Sequence, residues 1–571
     1  MDKKWNYLCD GLSGEDVRKL AAKHKISQVL AAVLLNRGIG LSESEGFLNG
    51  SAGLLHDPFL MKDMAKGTEA IEKALGKGDK ITVYGDYDVD GISAASMLLR
   101  YLKSRGGSAD IYIPDRETEG YGINAAAIRK IAESGTRLIV TVDTGITAVS
   151  ETLLAKELGM DIIICDHHAC GAEVPQASAV INPKRHDCHY PYSGLSGTGV
   201  AFKLICALSG ESETPLRDYA EYVALATIAD VVPLKDENRE LARIGLAKMQ
   251  TEKIPWFDAL LEVSSVKKEN ISAGHIGFII APRINAAGRI GDAHTALELL
   301  CCDNEDKALE LAQSLDVQNT RRKEIGQNIF TEAAEMIETD KKDKKRVIVL
   351  AHRGWHPGII GITASRIADI YHRNVILLSL SEDGAAKGSG RAIRGLNLYD
   401  ALCSCSDILT KFGGHDLAAG LTLPAANIAA FEKRINAFAD ENMDEEALIP
   451  TVDIDCRLSC EGDMLRLCRE LTRLEPIGTG NVKPVFAVLS AKVSAIKKSR
   501  DGKHLIIKIA KNGNEFSAIG FTMGDYADTL QKGDAVSFAA YLEENEYMGN
   551  VSPQFQLIDI IGENDDYHRN A

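Results

Sequence analysis

ITVYGDYDVDG, residues Ile81–Gly91, decides how this chain folds. Ile81, Val83 and Tyr84 read as the end of a buried strand, and Ile92–Lys103 reads as an amphipathic helix. Between them stand three acids in five residues, Asp86, Asp88 and Asp90. A tight turn from strand into helix is the carboxyl edge of an open α/β sheet, where ligands bind. Carboxylates this close repel one another unless a positive charge sits among them, and hard divalent cations take carboxylate oxygens.

Two later strands repeat the pattern. Leu138–Val142 (LIVTV) ends in Asp143, and Ile162–Cys165 (IIIC) ends in Asp166-His167-His168. A fourth acid, Asp230, follows the apolar run Val223–Ala229. One acid after a strand is an ordinary turn residue. Repeated acid-bearing ends, one with paired imidazoles, converge when parallel strands lie side by side. Carboxylates mixed with imidazole suit Mn²⁺ better than Mg²⁺, which prefers oxygen and water. Two metals bridged by a carboxylate would bind a phosphoryl oxygen and activate water for in-line attack. The bland alternative, unrelated turn and cap acids, makes the whole constellation a coincidence.

In order and spacing, GDYDVDG, TVDTG, CDHH and IADVVPL resemble the four motifs of the DHH phosphoesterase superfamily. Within it the chain is similar, over nearly its full length, to the RecJ-type single-strand exonucleases. By that resemblance Asp86, Asp88, Asp143, His167 and Asp230 would hold two divalent metal ions, with Asp143 the bridge. His168 would face the scissile phosphate, and Asp166 would orient a histidine from behind.

Composition bounds the rest. A chain of 571 residues holds several domains, and 45% hydrophobic content supports large cores. Net charge is −16, so this is no generally basic nucleic-acid coat, although a local basic groove stays compatible with that balance. MDKKWNYLCDG lacks an apolar signal core, and Val29–Leu35 is too short to span a membrane, so a cytoplasmic protein is expected. The 12 cysteines form no CxxC pair and read as reduced thiols. Cys188, between His186 and His189, leaves a metal knuckle conceivable.

Along the chain we expect α/β architecture: two α/β lobes joined by a long helix, then a C-terminal barrel. Residues 1–60 read as short helices packed on the first domain, at Glu15–His24, Ser27–Asn36 and Ser42–Leu48. Alternating strands and helices over 61–240 predict a parallel doubly wound sheet. The loop PDRETEGYG after Ile113 carries Arg116. LSGTGVAFK, residues 195–203, is a Gly-rich run whose amides would cradle a phosphate or simply allow close packing. Residues 241–340 read as helical, including PRINAAGR at 282–289 and a long helix from Lys307 to Thr339. Arg321-Arg322-Lys323 on that helix reads as a solvated face or a groove lining.

A second α/β unit, 341–449, holds GWHPGIIGITASR, KGSGRAI and GGHDLAAG. Their small residues allow close approach to a phosphate. They resemble the DHH-associated domain. The remainder, 450–571, shows short strands at Thr451–Asp455, Pro484–Val493, Leu505–Ile509, Phe516–Phe521 and Ala535–Leu542, which suggests an oligonucleotide-binding barrel. Lys497, Lys498, Arg500 and Lys503 would track a backbone there.

What the resemblance implies is a metal-dependent 5′-to-3′ exonuclease acting on single-stranded DNA in repair and recombination. Arg116 would lie near the 5′ end. Arg289, Ser389 and Arg391 would hold the terminal phosphate, and His415 would contact the nucleotide. A single-strand-binding protein and a helicase are the expected partners, with no membrane. The alternatives are a phosphodiesterase of the same superfamily for short oligonucleotides or cyclic dinucleotides, and a non-catalytic DNA-binding scaffold. The latter often lacks metal ligands, whereas here the acids and both histidines are present.

Overall fold

Apolar strands cannot face water, and the two strands Ile81–Tyr84 and Leu138–Val142 are buried on both sides. The computed structural model describes residues 3–50, 52–116, 118–120 and 122–562, apart from the side chain of Ala52. Glu117 and Tyr121 of the Arg116 loop lie outside the described residues, as do 563–571 of the last predicted domain.

The chain alternates β1 (Ile81–Tyr84), α1 (Val89–Ser104), β2 (Ala109–Tyr112), α2 (Ala125–Glu133), β3 (Leu138–Val142), α3 (Val149–Glu157), β4 (Asp161–Cys165) and β5 (Ala179–Ile181). These strands form one parallel sheet in the order β2-β1-β3-β4-β5. From β1 the chain runs outward to β2, then crosses back to β3 on the other side. The order therefore reverses between β1 and β3, and the loops that leave those two strands bound the crevice where such sheets bind ligands.

Two helices, α4 (Gly197–Ser209) and α5 (Glu213–Ala229), pack against α1, and α6 (Asp236–Thr251) packs on α5. The apolar run before Asp230 is thus the end of a helix, not a strand like those before Asp143 and Asp166. Tyr219 through Thr227 are buried without a break, because the C-terminal half of α5 is enclosed all round, while Arg217 and Asp218 of its first half stay exposed. Beyond it come α7 (Ala281–Ile290) and the 35-residue α8 (Glu305–Thr339).

The chain divides into two compact units, one of Leu8–Gln318 with the segment from Ile454 onward, the other centred on Asn319–Asp453. Within the second, β6 (Val347–Arg353), α9 (Ile360–Tyr371), β7 (Asn374–Leu380), β8 (Ala385–Arg391), β9 (Lys411–Gly414) and β10 (Ala418–Pro424) build a sheet ordered β9-β10-β8-β7-β6. Only β6 and β7 run parallel. KGSGR is therefore strand, with Arg391 opposite Ala418.

The C-terminal strands are β11 (Cys456–Arg457), β12 (Phe486–Lys498), β13 (Leu505–Lys511), β14 (Asn514–Gly520), β15 (Ala535–Tyr547) and β16 (Asn550–Gly562). β12 pairs with both β13 and β15, which closes the path β12-β13-β14-β16-β15 into a barrel. Thr451–Ile454 is no barrel strand: it pairs with Lys4–Tyr7 in a separate ribbon.

The first two N-terminal helices pack elsewhere than expected. Leu20, Leu30, Val33 and Leu34 are fully buried in one cluster with Phe486, Leu505, Phe538 and Phe555, inside the barrel's core, whereas Phe47 of the third lies against Arg239 of α6, its ring centre 3.7 Å from the guanidinium. Each fully buried side chain contributes about 2 kcal/mol of burial. Ser27 N–H donates to Glu470, and Asp10 pairs with Arg457, so polar contacts follow the same attachment.

Candidate metal centre

Asp143 follows β3 with a left-handed φ of +60°, a conformation that persists in a residue bearing a Cβ only where its surroundings impose it. The imposing neighbour is Gly197, the first residue of α4. A Cβ at 197 would meet the Asp143 side chain at 2.5 Å. Glycine lets the start of α4 close down on the acids. Gly197 N–H and Thr198 N–H each donate at 2.7 Å to Asp90, one to each carboxylate oxygen. The amides of the 195–203 run thus bind a carboxylate of the chain itself, which corrects their expected role as a phosphate cradle. A helix N-terminus favours either anion, and Asp90 fills this one.

The GDYDVDG turn is equally tight. A Cβ at Gly91 would strike the Asp86 backbone at 2.5 Å. Asp88 caps α1, accepting from Asp90 N–H and Gly91 N–H. From the other side, Asn285 Oδ1 of α7 accepts Val89 N–H at 3.1 Å.

These supports bring the predicted ligands together. His167 Nε2 lies 3.1 Å from Asp143 Oδ1, 3.7 Å from Asp230 Oδ2 and 3.9 Å from Asp90 Oδ2. The ligand atoms of Asp86, Asp88 and Asp143 lie within 4.8 Å of one another. His167 Nδ1 is 3.1 Å from the Leu195 carbonyl, which can only accept, so the proton sits on Nδ1 and the Nε2 lone pair faces the acids. Asp166 stands behind His168, with Oδ1 at 2.8 Å from its Nδ1. That carboxylate also takes the amides of Ile146, His167 and His168.

Electrostatics shows what the centre needs. Two like charges about 4 Å apart repel by roughly 4 kcal/mol at an effective dielectric of 20. Burial, with Asp90, Asp88 and Asp86 nearby, holds the Asp143 carboxyl well above the usual range. Burial and Asp88 do the same to Asp86, and burial with Asp90 raises Asp88. Asp230 is pushed up to about 8 by burial and by Asp90 and Asp88. Burial pushes the His167 imidazole down, so it stays neutral. Burial also opposes charge on His168, but the Asp166 hydrogen bond and neighbouring carboxylates raise it overall. Among the described residues, Asp86 Oδ1, Asp143 Oδ1 and His167 Nε2 are buried without a hydrogen-bond partner. Buried polar atoms are nearly always satisfied. Oxygen and imidazole-nitrogen donors left empty at a cluster of repelling acids fit divalent cations.

The predicted phosphate residues fall into two groups. Arg116 and Arg289 line one cavity of 510 Å³ with Tyr87, Lys130 and His294, and the Arg116 guanidinium lies 5.2 Å from the Tyr87 ring centre. Gly288 lies against Tyr87, where a Cβ would meet the carbonyl oxygen at 2.5 Å. Ser389 and Arg391 sit together on β8 of the other unit. Arg391 donates to Ser389 Oγ at 3.1 Å and to Ser365 Oγ of α9 at 3.0 Å. Gly361 of α9 gives them room. Burial pushes this guanidinium down, and its hydrogen bonds among the described residues all go to neutral groups. His415 is exposed in the β9–β10 turn, apart from any such cluster. Residues 186–189 form no metal knuckle among the described residues, and Cys188 Sγ accepts Lys62 N–H.

Residues that sequence reasoning left without a role include Asn285, Gly288 and Gly197, which position the acid turn rather than carry charge. The density of glycine and small residues at 195–199 and 285–288 was their signal.

A parallel sheet with this acid–imidazole edge defines a DHH-type domain, and residues 80–227 match the model of the DHH family, N-terminal domain. Residues 344–441 match the DHHA1 domain and 454–559 the RecJ OB domain. The chain is 38% identical to the single-stranded-DNA-specific exonuclease RecJ of Bacillus subtilis strain 168, over 95% of this chain and 69% of that protein. It is 34% identical to that of Escherichia coli K12, over 88% of this chain and 90% of that protein. The crystal structure of RecJ in complex with Mn²⁺ from Thermus thermophilus superposes with a TM-score of 0.85 at 30% identity, covering 98% of this chain and 79% of that one. The chain belongs to the RecJ family.

Proposed function

We propose that this protein is a divalent-metal-dependent exonuclease that hydrolyses single-stranded DNA from the 5′ end to mononucleotides, in DNA repair and recombination. The observation that carries the reading is the buried set Asp143 Oδ1, Asp86 Oδ1 and His167 Nε2, without hydrogen-bond partners at the switch point of the sheet. Asp86, Asp88, Asp143, His167 and Asp230 would hold two cations, Mn²⁺ in preference to Mg²⁺. When bound, such ions counter the acids' repulsion and supply Lewis acidity toward water and phosphate.

The chain's own groups do the rest. Leu195 O keeps the His167 proton on Nδ1 and its lone pair inward. Asp166 holds His168 and favours its protonated form, in which the other ring nitrogen would donate to the scissile phosphate or its leaving oxygen. Arg116 and Arg289, and separately Arg391 with Ser389, offer fixed donors to a terminal phosphate. His415 would contact the nucleotide.

Among the described residues no helix is long and apolar enough to cross a membrane, and all 12 cysteines are unpaired. Free thiols support a reducing compartment, the cytoplasm. A helicase and a single-strand-binding protein would supply the strand.

The test is incubation with Mn²⁺ and end-labelled DNA. Immediate release of 5′-labelled mononucleotide from the single strand, but neither from its duplex nor with Asp143→Ala, is expected. Cleavage of diribonucleotides or cyclic dinucleotides alone would replace this reading with the small-substrate one.

A further inference from the structure

The helical rod from Ile276 to Ile290 has one end at the chemistry and the other in solvent. Its C-terminal half is α7, which holds the acid turn through Asn285 and Gly288 and carries Arg289 into the cavity shared with Arg116. Its N-terminal half, Ile276–Ile280, is a π-helical turn. Such turns are rare and occur frequently at functional sites. This one runs into Pro282, which has no N–H to continue a regular ladder.

The turn sorts its apolar residues sharply. Ile276 and Ile280 are fully buried, whereas Phe278 is 85% exposed. The ring is not on a loose loop. Gly277 lies against Ile228, two residues before Asp230. Arg283 donates to Ile279 O at 2.6 Å and to Asp316 Oδ1 at 2.8 Å, which fastens the turn to α8. Val317, next to Asp316, is itself 69% exposed. A scattered surface aromatic is ordinary. One on a turn fastened to α8, and on the element that supports the acid turn, has a use for its face.

We propose that Phe278 is a base-stacking platform for the single strand, 3′ of the nucleotide being cleaved. The inference rests on the exonuclease reading above. Exposed aromatics carry single strands because every base has a π-face, so stacking there is independent of sequence. Eleven residues at 1.5 Å each set Phe278 about 16 Å from Arg289 along the rod. At about 3.4 Å per stacked nucleotide, that is roughly five positions from the terminal phosphate.

Two measurements test this. A fluorescent base analogue is walked from the 5′ end in oligonucleotides bound to Asp143→Asn. Quenching should peak at one position near the predicted distance, vanish in Asp143→Asn with Phe278→Leu, and return with Phe278→Trp. In the active protein, Phe278→Leu should lower the ratio of kcat/KM for a long strand over a dinucleotide about tenfold, and Phe278→Trp should restore it. Quenching and a long-strand ratio kept in Phe278→Leu but lost in Phe278→Ala would overturn the stacking role in favour of mere apolar contact. A wild-type protein that degrades single strands, with no quenched position or with an unchanged ratio in folded Phe278→Leu, overturns this inference alone. A wild-type protein that degrades no single strand overturns the exonuclease reading and this inference together.

Discussion

At the edge of the parallel sheet, Asp86, Asp88, Asp90, Asp143 and Asp230 crowd around one neutral imidazole. On the mixed sheet, Arg391 stands partly buried among two serine hydroxyls and a backbone carbonyl. One site has surplus negative charge and the other an uncompensated positive one. Burial works against both, raising the Asp143 carboxyl and lowering the Arg391 guanidinium. The lesson is that the two sites are opposites in charge: the first suits cations, and by the reading proposed above the second would suit an anion. In each, buried charge lacks an opposite charge of the chain's own to match it.

The comparison breaks first at Asp143. Asp143→Asn should remove at least about 1000-fold of hydrolysis, more than the 10–100-fold typical of an outer-shell partner. It should also raise the melting temperature of chelator-treated protein, since a buried repulsive charge is gone. A variant with weak turnover but no gain in metal-free stability would mean the acids are not in conflict.

Next is Arg391→Ala, which should raise KM for a 5′-phosphorylated strand about 10- to 100-fold, the scale of a lost charge-assisted hydrogen bond. It should also erase any preference over a 5′-hydroxyl strand. Equal effects on both ends would remove the anion from the comparison. Asp166→Asn should cost about 10–100-fold in kcat and move the alkaline limb of the pH–rate profile to lower pH, because His168 loses a group that raises its pKa.

The smallest effect is on stability. Asp230 binds its proton more tightly in the folded chain, where it titrates at about 8 against an ordinary 3.8. The metal-free protein therefore holds that contribution at low pH and loses it as pH rises from 3.8 through about 8. Melting of chelator-treated protein should fall across that window by a few degrees, and Mn²⁺ should raise it more at the alkaline end. A melting temperature flat with pH would show that no acid there is strained.

Much of the first site was legible because its chemistry is local. DYDVDG, VDTG and CDHH each put acids or imidazoles within a few residues of a strand end, and the sheet does the rest. Asp230 was read as an acid of the cluster after an apolar run whose type stayed open, since a fully buried helix and a buried strand share the same apolar run. For the 195–203 run, phosphate cradle and close packing were both open; close packing holds, and the amides take Asp90, because a sequence does not say which anion reaches a helix first and Asp90 lies more than a hundred residues earlier. The attachment of the N-terminal helices was beyond reach: an apolar stripe says that it is buried and not against what.

That attachment matters during synthesis. Leu20, Leu30 and Leu34 leave the ribosome long before Phe486 and Phe538 exist to cover them. At about 5–20 residues per second, the intervening chain takes roughly half a minute or more to make. Through that interval the first helices are an uncovered greasy surface on an otherwise folding nascent chain, a client for whatever holds such surfaces apart. A ribosome stalled before residue 454 presents the cell with an intact acid centre and an aggregation-prone leader.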